Sequence, residues 1–202
     1  MNRYGLKTRI AKCLGNIMKR NLFLIFLLLL LLAIGYPIQS AANEFIITID
    51  TSKQELFVFE GREIIRIYPV STSRYGVGNE KNSNKTPLGT HFIVAKIGKD
   101  AKIGTIFEHR KNIGQIAEIY TDTTYIKEDL ITTRILWLKG IVPGLNEDGE
   151  VDSYARCIYI HGTPQEGLIG TPASKGCIRM KNQDIFELFD LVPEGTLVGI
   201  HE

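Results

Sequence analysis

Past residue 43, only one stretch of the chain keeps an apolar stripe at helical spacing. Ile185, Leu188, Phe189 and Val192 fall at i, i+3, i+4 and i+7. Asn182 stands where an N-cap is expected, and Pro193 and Gly195 end the run. Most of the rest reads as short β segments. Phe45–Ile49 and Leu56–Glu60 are rich in β-formers, and Gly61 marks a hairpin turn before Glu63–Val70. His91–Ile97, Ile116–Tyr120, Arg134–Leu138, Ile158–His161 and Leu197–Ile200 continue the pattern, while Ser71–Pro87 is a polar, glycine-containing loop. The expected fold is mainly β (α+β): one domain with a C-terminal helix. Residues 98–150 are the least legible part and are read as a candidate lid.

The first 42 residues carry six basic side chains and no acid, then the uncharged run Leu22–Ile34. Thirteen residues span roughly 20 Å as a helix, short of the ~30 Å hydrocarbon core of a bilayer. Gly35 and Pro37 break the run, and Ser40-Ala41-Ala42 offers small residues for cleavage. Residues 1–42 therefore read as a secretory signal, with an uncleaved membrane anchor as the alternative, and 43–202 as the exported domain. Both place that domain in the periplasm or cell envelope. Without the six basic residues, 18 basic side chains face 22 acidic ones, a net of about −4. This leaves no electrostatic footprint for nucleic acid.

Two cysteines follow, Cys157 and Cys177. His161-Gly162 ends a strand, and Cys177, sixteen residues after His161, lies in the run Ser174-Lys175-Gly176-Cys177-Ile178-Arg179. A thiol needs a base to become a strong nucleophile. His161 can supply it if the glycine-bearing loop folds back. Gly176 leaves the flank of Cys177 bare, and backbone N–H groups around Gly176 and Cys177 are candidate oxyanion donors. Arg179 is placed to hold a carboxylate or brace the loop. Cys157 is read as a buried strand thiol sharing a face with Tyr159 and His161, and a disulfide to Cys177 would block the site. His91, His109 and His201 read as strand or surface residues. No His/Cys/Asp cluster has metal-ligand spacing, so neither metal nor cofactor is expected.

The run Tyr159–Met180, Y-I-H-G-T-P-Q-E-G-L-I-G-T-P-A-S-K-G-C-I-R-M, resembles the signature of the L,D-transpeptidase (YkuD-type) catalytic domain. Lys85-Thr86-Pro87-Leu88-Gly89-Thr90-His91-Phe92 is similar to a second segment of that family, and Asp184–Val198 to its closing helix and strand. The resemblance implies a β-sandwich or open barrel, with Cys177 as nucleophile and His161 as general base. It further implies that the Gly162 carbonyl orients the imidazole, and that Ser174, Lys175 and Arg179 shape the loop or bind substrate. Many relatives carry His where this chain has Lys175. The implied reaction is acyl transfer on peptidoglycan stem peptides through a thioester, with release of D-Ala. The acceptor would be a second stem or a wall-anchored lipoprotein. Water as acceptor would make the enzyme an L,D-carboxypeptidase. A non-catalytic wall-binding protein and a secreted cysteine peptidase of another family are the remaining alternatives.

Overall fold

The computed structural model describes residues 45–202. The signal or anchor reading of residues 1–42 lies outside the described residues. Alternation of apolar and polar side chains builds the first hairpin. In β1 (Phe45–Asp50), Ile47 and Ile49 point inward and pair across the ladder with Val58 and Leu56 of β2 (Glu55–Glu60). β3 (Glu63–Pro69) pairs with β2 and forms a largely exposed edge. There follow β4 (Gly89–Ile97), β5 (Thr105–Glu108), β6 (Lys111–Ile116) and β7 (Ile131–Gly140). The chain closes with β8 (Tyr159–Gly162), β9 (Ile178–Met180), α1 (Asn182–Leu191) and β10 (Leu197–His201).

All ten strands belong to one mixed sheet in the order β3-β2-β1-β10-β4-β7-β5-β6, with β8 joined to β7 and β9 to β8. The β1–β10 and β8–β9 pairs are parallel. Among the described residues, the expected mainly-β class with one good helix is therefore the observed one. α1 presses Ile185, Leu188 and Phe189 into a core that includes Leu136, Leu138, Ile160, Ile178 and Met180. Each such side chain contributes about 1.5–3 kcal/mol on burial.

Three local expectations change. Asn182 does not cap the helix, because it is the first helical residue after an extended Lys181. Its side chain is instead buried beneath the end of β8, and the Asn182 N–H is taken by Glu166 Oε1 at 2.8 Å. An outside carboxylate thus does the capping. The strand expected at Ile116–Tyr120 runs at Lys111–Ile116, after a turn in which His109 and Arg110 have positive φ. The middle stretch is also not one insertion. It holds β5, β6 and β7, the last a central strand with Thr132–Leu136 buried, and its longest irregular segment is the strap of residues 117–130.

β7 is where the sheet forks. One edge carries β8; the other serves β4 at Ile135–Gly140 and β5 at Ile131–Thr132, and the β7–β8 register is broken between Thr132 and Ile135. Thr133 sits in that break at φ 67°. Such a bulge bends the strand and re-aims its side chains, commonly beside functional sites.

Candidate active site

β8 and β9 pair in parallel with His161 opposite Arg179, so Cys177, one residue before β9, comes beside Tyr159. Strand alternation then sorts the side chains. Ile160, Ile178 and Met180 enter the core under α1. Tyr159, His161, Cys177 and Arg179 face the other way. There Tyr159 packs with Phe107 and Ile135, and Cys157, Cys177 and Trp137 lie against that cluster. The two residues singled out as nucleophile and base are thus brought to one face of adjacent strands.

His161 is buried, and its Nδ1 lies 2.7 Å from the Gly162 carbonyl oxygen. A carbonyl can only accept, so Nδ1 carries the proton and Nε2 is left as the basic nitrogen. Burial pushes the imidazole down to about 4; nearby Asp129 raises it and Arg179 lowers it. Burial likewise pushes the Cys177 thiol up to about 12, and the same Asp129 and Arg179 act on it. Burial thus favours the uncharged form of each group, thiol and imidazole. Sγ of Cys177 donates to the Cys157 carbonyl at 3.5 Å.

Gly162 is held from behind. A Cβ there would fall 2.6 Å from Asn182 Oδ1 and 2.8 Å from Thr132 O. Asn182 Oδ1 accepts from Thr132 Oγ1 at 2.6 Å and Thr133 Oγ1 at 2.5 Å, while its Nδ2 donates to Thr163 O at 2.8 Å. The bulge in β7 and Asn182 thereby crowd the residue whose carbonyl orients His161.

The nucleophile loop is braced as closely. Ser174, fully buried, donates through Oγ to the Cys177 carbonyl at 2.6 Å and receives the Gly176 N–H at 3.2 Å. Thr86, from the K-T-P segment, donates to the Gly176 carbonyl at 3.0 Å. Gly176 has φ 123°, a conformation that side chains resist. Arg179 is 1% exposed; it donates to Asp129 Oδ1 at 2.5 Å and to Gln165 Oε1 at 3.2 Å. It holds a carboxylate, but one belonging to this chain. Asp129 also takes the Lys175 N–H at 3.0 Å, tying the strap to the nucleophile loop, while the Lys175 side chain is exposed.

Cys157 differs from expectation. It precedes β8 in a turn at φ 58°, half-buried, and both thiols are unpaired. Sequence reasoning missed Asn182 as a support, Gln165, and Asp129. The last falls in the weakly patterned middle, with nothing local to mark it.

The profile of the L,D-transpeptidase catalytic domain, YkuD, matches residues 44–200. The chain belongs to that family. A Bacillus subtilis protein carrying the name of an L,D-transpeptidase, YkuD, is 55% identical over 42 residues, covering 21% of this chain and 26% of that protein. The probable L,D-transpeptidase YbiS of Escherichia coli is 32% identical over 127 residues, covering 55% of this chain and 39% of YbiS. These matches span less than half the length of either relative. L,D-transpeptidase 3 from Mycobacterium tuberculosis, solved with a faropenem-derived adduct, is 16% identical with a TM-score of 0.49. That alignment covers 78% of this chain and 60% of the solved one.

Proposed function

We propose that this protein is a cysteine-dependent L,D-transpeptidase acting on peptidoglycan stem peptides, with Cys177 as nucleophile and His161 as general base. The observation that carries the reading is His161, on the same sheet face as Cys177, with its tautomer set by the Gly162 carbonyl. A carbonyl here does what the carboxylate does in a Ser-His-Asp triad: it fixes which nitrogen is basic.

An uncharged thiol and imidazole make proton transfer part of the attack. His161 Nε2 takes the Cys177 proton as sulfur bonds to the carbonyl carbon of the diamino acid's L-centre. Backbone N–H groups at Cys177 stabilise the oxyanion. On collapse the C–N bond breaks, the imidazolium protonates the departing D-Ala amine, and a thioester remains. An acceptor amine then attacks the thioester carbonyl. His161 removes the amine proton and returns it to the departing sulfur, restoring the thiol. The acceptor is a second stem peptide or a wall-anchored protein, and the basic, apolar start of the chain supports export to the cell envelope.

Incubation with a stem tetrapeptide, followed by mass spectrometry, tests the reading. The parent is expected to gain an acyl adduct on Cys177 and yield a dimer or a protein-linked product, and Cys177→Ala to do neither. Equal turnover by the variant overturns it.

A further inference from the structure

A cavity of about 220 Å³ is lined by Lys81, Asn82, Asn84, Arg156 and Lys175 over Ile158. Three relationships place it near the thiol. Lys175 is two residues from Cys177. Arg156 and Ile158 bracket Cys157, whose carbonyl receives the Cys177 thiol. Gly176 meets the Asn84–Lys85 backbone at 3.4–3.7 Å, counted from where a Cβ would stand. The Asp129–Arg179 pair, by contrast, bears on the loop through other contacts and takes no part in this lining.

The cavity is cationic without an internal counter-charge. No carboxylate lines it. Among the described residues, neither Arg156 nor Lys175 takes part in an ion pair, and Lys81 meets only the exposed Glu150, at 3.6 Å. Lys175 Nζ reaches the Lys127 carbonyl at 3.4 Å. Arg156 is clamped by three carbonyls: Asn79 O at 2.7 Å, Gly78 O at 3.3 Å and Lys85 O at 2.6 Å. Those bonds fix the guanidinium but leave its charge uncompensated. A charge held in this way is preorganised for an anion, because little entropy remains to be lost on binding. Burial lowers the Arg156 guanidinium, and a thiolate at Cys177 would raise it.

The inference rests on the proposed transpeptidase reading. In a donor peptide whose penultimate carbonyl is attacked, the leaving residue carries a free α-carboxylate one residue from the scissile bond. We propose that the Lys81–Arg156–Lys175 cavity binds this C-terminal carboxylate. The lysines supply point charges and Arg156 a fixed field, while Asn82 and Asn84 offer amide donors.

The test compares a stem tetrapeptide with its C-terminal carboxamide, using the full chain and following Cys177 acylation by mass spectrometry. The parent is expected to favour the acid by about tenfold or more in kcat/KM, the scale of one charged hydrogen bond. In Lys81→Gln/Lys175→Gln that preference is expected to fall toward one through KM, and the Lys→Arg pair should keep it. Arg156→Gln is less decisive because three carbonyls would lose their donor, so the lysine variants carry the test. Equal use of acid and amide by the parent overturns the cavity assignment, as does a preference that survives in the glutamine pair. Under either outcome Cys177 acylation still stands. Absence of any adduct from both donors brings down the transpeptidase reading and this inference with it.

Discussion

Arg179 Nη2 donates to Asp129 Oδ1 at 2.5 Å across fifty residues of sequence, with the guanidinium buried at 1% exposure. This contact joins the strap of residues 117–130 to the strand that follows the nucleophile. Asp129→Ala should leave a buried cation without its partner and cost about 3 kcal/mol of stability. Urea unfolding measures it. A loss below 1 kcal/mol would show the pair to be incidental.

Gly162→Ala is expected to act on chemistry more than on folding. The added Cβ must move the carbonyl that fixes His161, because Asn182 and the Thr132 backbone occupy its space. A shift of an ångström in such a group costs about 100-fold in rate, while overpacking costs about 1–3 kcal/mol. Acylation rate and melting temperature, measured on the same sample, separate the two effects.

Acid should destabilise the fold through two buried imidazoles. His161 and His91 are each pushed down by burial from the ordinary 6.5 to about 4. His91 is enclosed between Ser153 Oγ and the Gly89 carbonyl, each at 3.0 Å. Unfolding releases both to the higher value, so the unfolded state binds more protons between about pH 4 and 6.5. Stability is then full above 6.5 and falls as pH drops through that window. A denaturation midpoint that stays flat from pH 7 to 4.5 would contradict this.

Alkylation of Cys177 by iodoacetamide is expected to be slow at pH 7 and to quicken steadily into the alkaline range, because burial holds the thiol protonated. A reaction already fast at pH 6 would instead indicate a standing thiolate–imidazolium pair.

Cys157→Ser should leave acylation within about twofold of the parent. Only the Cys157 backbone carbonyl touches the Cys177 thiol; its own sulfur lies 3.8 Å from the Ala155 carbonyl and 3.6 Å from Arg110 Nη1. Complete loss of activity in a folded variant would give the Cys157 side chain a role that the geometry does not.

Much of this architecture was legible before any coordinates. The stripe Ile185–Val192 is a helix because its period is local, and β1, β2, β3, β4 and β10 alternate or cluster strongly enough to stand out. β9 was not read as a strand because three residues carry no period, and β5 was lost in the weakly patterned middle. Asn182 misled for a definite reason: an asparagine ahead of an apolar stripe has the chemistry of a cap. The amide was drawn inward by Thr132, Thr133 and Thr163, about fifty and nineteen residues away in sequence.

The sequence alone determined the mainly-β class and the helix at Asn182–Leu191, and it singled out His161 and Cys177 as the candidate pair. Each depends on residue type and spacing within a short window. Tertiary structure decided what surrounds that pair: the Gly162 backbone packed against Asn182, the Asp129 partner of Arg179, and the cationic cavity assembled from residues near 81, 156 and 175. Those contacts join segments distant in the chain, and their energies exist only once burial removes water from between them.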